Sequence, residues 1–244
     1  DFIKKNYVPM ILAHLLVLVF ALNWVLGRLE GVLLVSAFVA YIFYLYKKKD
    51  ERFLTAEGVE PSKMPLLDLS IGLSAMFVLI YFSDVFLGVV EGVIASTSLS
   101  GSMIGVVLVG FVSAVPEFTT AVSGLRKNSH GISLGTLIGS NITNPLLGIG
   151  IGASISTYNV PNPLVLWDLP VQIITASILV GYLWNRKAIG DVLGRFFDRV
   201  GMKAWADKTD EMEDGVLTAF GGIILILVYI TYIYVRFTMF SIDF

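Results

Sequence analysis

Apolar residues dominate seven stretches of the chain, each close to the ~20 residues that a helix needs to cross a ~30 Å hydrocarbon core. They cover positions 8–26, 29–46, 69–94, 103–125, 132–156, 164–184 and 216–235. Charged sequence interrupts them at 47–65, which holds Lys47-Lys48-Lys49-Asp50-Glu51-Arg52, and again at 185–214. The remaining connections are short. The pattern predicts an all-α, polytopic membrane protein of about seven transmembrane helices.

Composition agrees with the pattern, because 56% of the residues are apolar and only 15% charged, a balance that ordinary soluble domains do not show. A net charge of −2 gives no reason to expect a nucleic-acid partner; the lipid bilayer is the surrounding medium. The absence of cysteine excludes disulfides and thiolate metal sites. Asp1 to Tyr7 runs straight into the first apolar stretch with no small-residue cleavage site.

Lysine and arginine fix an orientation, since positive loops stay on the cytoplasmic side. With the N-terminus inside, all of the 17 basic residues except Arg28 and Arg236 lie on the inner side, and loops 47–65 and 185–214 are cytoplasmic. In the second of these loops Ile189, Val192, Leu193, Phe196, Phe197 and Val200 recur at helical spacing, with Arg195, Arg199 and Lys203 at polar positions. That is an amphipathic helix, either lying on the cytoplasmic leaflet or docked on the bundle. The acidic cluster Asp207, Asp210, Glu211, Glu213 and Asp214 lacks the spacing of a calcium loop and reads as solvated sequence.

A weak internal repeat is also visible. Tyr41-Ile42-Phe43-Tyr44-Leu45-Tyr46 closes the second apolar stretch and Tyr229-Ile230-Thr231-Tyr232-Ile233-Tyr234 closes the last, each stretch beginning near an acidic-Gly pair, Glu30-Gly31 or Asp214-Gly215. The two copies run in opposite directions through the membrane, as inverted transporter repeats do.

Two consecutive stretches carry chemistry. In Ser113-Ala114-Val115-Pro116-Glu117 a carboxylate follows a proline near mid-membrane, where a charge costs roughly 2.5–3.5 kcal/mol or more and needs a partner, a cavity or an ion. Pro116 also frees the carbonyl one turn earlier, around Val112. A carboxylate beside free carbonyls suits a hard cation; the bland reading is a protonated Glu117 bonded to a neighbouring helix. The next stretch holds Gly139-Ser140-Asn141-Ile142-Thr143-Asn144-Pro145, with Ser140 and Asn144 on one helix face. Gly131, Gly135, Gly139, Gly148, Gly150 and Gly152 surround this cluster and predict close helix packing.

Pro116-Glu117 followed by Gly139-Ser140-Asn141-Ile142 resembles the α-repeat of the cation/calcium antiporter superfamily, especially its sodium/calcium exchanger branch. The resemblance spans 104–152, and Trp167-Asp168-Leu169-Pro170-Val171 is similar to the opening of the next helix in that family. It implies a ten-helix fold of two inverted five-helix halves, each giving one α-repeat to a central ion site. Residues 1–48 would then be the last two helices of the first half, 49–65 a cytoplasmic linker and 66–244 the five-helix second half.

The same resemblance implies that Glu117 is the central acidic ligand, that Ser140, Asn141 and Asn144 are polar ligands of the partner helix, and that Ser113 and the Gly110 carbonyl complete this side. It further implies Ca²⁺ as the transported ion, no cofactor, H⁺ or Na⁺ as counter-ion, and a plasma-membrane location. Val112-Ser113-Ala114 stands where the family has Gly-Thr-Ser, and Asn144 where sodium-coupled members often have Asp. Both changes subtract sodium-ligand oxygen or charge and favour a proton. Nothing before Leu69 carries a Pro-Glu or Gly-Ser-Asn motif, so the first-repeat half must come from elsewhere. The abrupt start at Asp1 suggests a fragment that does not transport alone.

The competing reading is a non-transporting membrane subunit that keeps an α-repeat for packing. No Ser/His, His-Glu or paired-Asp arrangement lies in the apolar stretches, so no enzymatic activity is expected. Asp84 is a candidate for the ion path or an interior hydrogen bond, and Glu91 is expected near the outer surface. Asp168 reads as a helix N-cap at the outer interface. His14 reads as a bonded interior residue and His130 as part of a cytoplasmic turn.

Overall fold

The computed structural model describes residues 2–47, 64–127, 130–203 and 219–241. Its helices are α1 (Phe2–Ala21), α2 (Arg28–Lys47), α3 (Pro65–Ser96), α4 (Gly101–Ile104), α5 (Gly110–Arg126), α6 (His130–Thr143), α7 (Ile149–Ile155), α8 (Leu169–Trp184), α9 (Arg186–Arg199) and α10 (Ala219–Met239). Three π-helical segments interrupt them: π1 (Gly105–Val109), π2 (Asn144–Gly148) and π3 (Leu164–Asp168). The only sheet among the described residues is a ribbon of two-residue strands, β1 (Val25–Leu26) and β2 (Tyr158–Asn159). The expected all-α architecture is therefore present. The Lys-rich cluster of 48–52, the acidic cluster of 207–214 and the Asp214-Gly215 pair lie outside the described residues.

Two compact units can be recognised, one made of Asp1–Val39 and Ile138–Met239, the other of Ala40–Leu137 and Phe240–Phe244. In the first, α1 packs along α8 and against π2. Its buried face is Tyr7, Met10, Ala13, His14, Val17 and Ala21, the three-to-four spacing of one helical stripe. His14 lies on that stripe and donates from Nδ1 to the Met10 carbonyl at 2.8 Å, the bonded interior role expected of it.

The first apolar stretch does not stay helical to its end. α1 stops at Ala21, because the next residues make a turn in which Trp24 takes φ 64°, a left-handed conformation rare outside glycine. The Asn23 side chain stabilises the turn by accepting from the Val25 amide at 3.1 Å. β1 then pairs antiparallel with β2, Val25 opposite Asn159 and Leu26 opposite Tyr158. Ala21, Leu26, Ala153, Val160 and Val165 form the buried core around this ribbon.

Glycine sets one helix contact in this unit. A Cβ added at Gly31 on α2 would stand 2.3 Å from the Ser154 amide nitrogen and 2.8 Å from the Gly150 carbonyl oxygen, and one at Gly150 would meet the Leu34 Cβ at 3.0 Å. Backbone thus rests on backbone, the packing that small residues permit where lipid gives helices little hydrophobic reason to associate. The glycine-rich stretch explains only part of this. Gly150 makes the close approach, whereas an added Cβ at Gly135, Gly139, Gly148 or Gly152 would meet nothing within 4 Å. The tightest glycine is Gly31, outside the cluster.

The second unit contains α3 and the α4–π1–α5 run. α3 begins with Pro65 at its first turn, where a missing N–H costs nothing, so it starts ahead of the apolar stretch at 69. It is apolar on all sides, and Asp84 and Glu91 are both exposed on it. α4 is capped by Ser100, whose hydroxyl accepts from the Met103 amide at 3.2 Å, and the Ser100 amide donates to the Ser241 carbonyl at 3.3 Å.

Arg28–Lys47, Leu66–Ser96, Gly101–Arg126, Leu164–Tyr182 and Gly221–Met239 are long and apolar enough to cross a membrane. The apolar part of α1, Tyr7–Ala21, is shorter, and the fifth stretch is divided among α6, π2 and α7.

Candidate ion site

Glu117 sits on α5 within the span Gly101–Arg126, roughly 5 Å from its midpoint at 1.5 Å per residue. The sequence places it there in two ways: apolar residues make the span, and Pro116 breaks the ladder just before the carboxylate by withholding an N–H from the Val112 carbonyl. π1 lies immediately upstream, where the Gly110 amide reaches back to the Gly105 carbonyl. π-segments of this kind widen a helix and recur at functional sites.

Glu117 is half-buried, and its Oε2 is buried without a hydrogen-bond partner. A buried unsatisfied acceptor typically costs about 1–3 kcal/mol, and more when charged. The hydroxyls nearest in sequence do not relieve it, because each spends its proton on the backbone. Ser113 Oγ donates to the Gly110 carbonyl at 3.0 Å, Thr119 Oγ1 to Val115 at 2.8 Å and Thr120 Oγ1 to Pro116 at 2.9 Å. A hydroxyl bonded in this way has only lone pairs left to offer, and a carbonyl accepting one bond keeps a second lone pair. Gly110, Ser113 and Glu117, spaced by three and four residues, share one face of the helix. That face therefore presents oxygen acceptors without protons to give, the donor set of a hard cation.

Ser140 and Asn141 are half-buried near the end of α6, and Asn144 is exposed at the first position of π2. Pro145 follows, buried, and the Asn144 carbonyl accepts from the Ile149 amide five residues on. The expected ligands thus fall into two groups, Gly110, Ser113 and Glu117 in one unit of the chain and Ser140, Asn141 and Asn144 in the other. No group of three or more His, Asp or Glu side chains poised to hold a metal occurs among the described residues.

Residues 69–238 match the sodium/calcium exchanger protein family. The chain belongs to that family. Among curated relatives of this exchanger-family chain, the putative antiporter CaxA of Alkalimonas amylolytica is 28% identical over 163 residues, 63% of this chain and 50% of that protein. The inner membrane protein YrbG of Escherichia coli is 22% identical over 74% of this chain and 60% of its own length. The sodium/calcium exchanger MaX1 of Methanosarcina acetivorans is 33% identical over 82 residues, 34% of this chain and 23% of that protein. The chain spans about half the length of the antiporter CaxA. No solved structure gives a significant match.

One polar cluster in this exchanger-family chain escapes a local reading. Asp168 closes π3 just before α8, but its backbone is already helical and its side chain makes no cap hydrogen bond, which corrects the expectation of an N-cap. Instead it accepts from Tyr232 Oη at 2.8 Å and from Arg236 Nε at 3.2 Å, both on α10. Arg236 is 0% exposed, so it is an interior residue rather than a loop charge. The Trp167 ring stacks nearly parallel to Tyr232, their centroids 6.4 Å apart. The pairing bridges 68 residues, and neither side chain carries a nearby signal of it.

Proposed function

We propose that this chain contributes the second α-repeat of a secondary cation antiporter that exchanges Ca²⁺ for H⁺ or Na⁺, with Glu117 as the ion-binding carboxylate. The observation that carries this reading is the buried, unpartnered Oε2 of Glu117 in a membrane span, on a face whose hydroxyl protons are already committed. A carboxylate kept only for packing would be satisfied, as Asp168 is. Membership of the exchanger family and the relatives named as antiporters support the same reading.

In this mechanism Glu117 holds Ca²⁺ in one state and H⁺ or Na⁺ in the other, because a single carboxylate does not satisfy both loads at once. Ser113 and the Gly110 carbonyl add neutral oxygens from α5, and Ser140, Asn141 and Asn144 add them from the partner helix. Ala114 and Asn144, with fewer oxygens or less charge than sodium-coupled sites, favour the proton as counter-ion. A first α-repeat, absent before Leu69, supplies the other side. The assembled protein lies in the plasma membrane with loops 47–65 and 185–214 cytoplasmic.

The test is Ca²⁺ binding and Ca²⁺ flux by the assembled transporter in vesicles, wild type against Glu117→Gln. Loss of both is expected. Unchanged Ca²⁺ binding in the variant would remove Glu117 from the site.

A further inference from the structure

The α9 helix leaves an apolar stripe uncovered. Val192, Phe196 and its C-cap Val200 recur every four residues and are 57%, 56% and 57% exposed, although α9 follows the membrane span of α8 after a single residue, Asn185. On the other flank Ile189, Leu193 and Phe197 are half-buried, and Gly190 is buried, so α9 uses a second apolar line for the protein itself. Phe196 and Phe197 meet edge-on with centroids 5.7 Å apart, which fixes where the two lines part.

Charge is sorted around the uncovered stripe. At 100° per residue, Arg199 and Arg195 stand about 60° and about 100° from Phe196, while Asp191 and Asp198 stand about 140° and about 160° away. Both arginines and both aspartates are exposed, and among the described residues neither arginine is in an ion pair. Residues 186–203 carry five lysines and arginines against two aspartates. Long basic side chains beside an apolar stripe, with acids turned away from it, match a surface that is apolar below and negative above.

We infer that α9 is a docking surface for an anionic lipid leaflet, in which Val192, Phe196 and Val200 enter the acyl boundary and Arg195 and Arg199 take the phosphate and anionic headgroups. Continuity with α8 already places the helix at the membrane edge, so only rotation of the stripe toward lipid is required. This surface is independent of Glu117, and its test reads no transport.

The absence of cysteine allows single spin labels at V192C, F196C and D198C in the full chain, reconstituted in phosphatidylcholine vesicles with and without phosphatidylglycerol. With phosphatidylglycerol, labels at 192 and 196 gain collisions with oxygen and lose collisions with a water-soluble nickel complex. The label at 198 stays open to nickel. R195Q together with R199Q abolishes the difference between the two lipids. Labels at 192 and 196 open to nickel in both lipids, or shielded from both probes because protein covers them, would overturn the inference. So would immersion that does not depend on anionic lipid.

Discussion

Asp168 and Glu117 are both carboxylates set beside prolines in apolar helical runs, yet they are treated in opposite ways. Asp168 is 9% exposed and receives a tyrosine hydroxyl and an arginine guanidinium. Glu117 receives nothing at Oε2, and the hydroxyls around it donate elsewhere. The first arrangement holds two helices, α8 and α10, in register. The second retains a cost within the fold that an exogenous cation can remove. Satisfaction, rather than burial, separates the structural carboxylate from the one proposed to bind the ion.

The largest effect is expected where the satisfied carboxylate is removed. Asp168→Ala removes the carboxylate that Arg236 pairs with inside the protein and should cost about 3–5 kcal/mol, read as loss of stability in a denaturant titration in detergent micelles. The Asp168→Leu, Arg236→Met double variant should recover most of that loss, since well-packed apolar replacements of a buried pair are often neutral. Tyr232→Phe comes next and should cost about 2 kcal/mol by the same measurement, the worth of a hydrogen bond to a charged acceptor.

Glu117→Gln should have the opposite sign. Neutralising a carboxylate that lacks a partner should raise stability by about 1 kcal/mol in the absence of Ca²⁺, while Ca²⁺ no longer shifts the transition. A destabilised Glu117→Gln protein would mean that the two carboxylates do the same work. The smallest change is expected of Ser113→Ala. It loses only a local bond to the Gly110 carbonyl, so its stability should stay within about 0.5 kcal/mol while Ca²⁺ affinity weakens.

Sequence and structure agree best where the signal is local. Apolar runs located the helices, because a membrane span must satisfy its backbone internally and its side chains must suit lipid. Pro116-Glu117 marked the candidate site for the same reason: a charge and a helix breaker inside such a run conflict with lipid at one position. Contacts that join distant residues left no such trace. Nothing near Arg236 distinguishes it from an interfacial arginine, and Asp168 before Leu169-Pro170 has every local mark of a cap. The π segments were equally silent, since a change from i+4 to i+5 bonding alters neither composition nor polarity. Gly31 shows the limit most clearly. A single glycine near a helix start gives no hint of the backbone across from it, while the abundant glycines of 131–152 point to packing that only Gly150 realises among the described positions.

That contact between Gly31 and Gly150 has a mechanical consequence. Helices that meet through side chains have a compressible layer between them, in which rotamers change and small displacements are absorbed. Where one main chain lies on another that layer is missing, so α2 and α7 have no slack at this point, and any volume added there must appear as displacement of a whole helix.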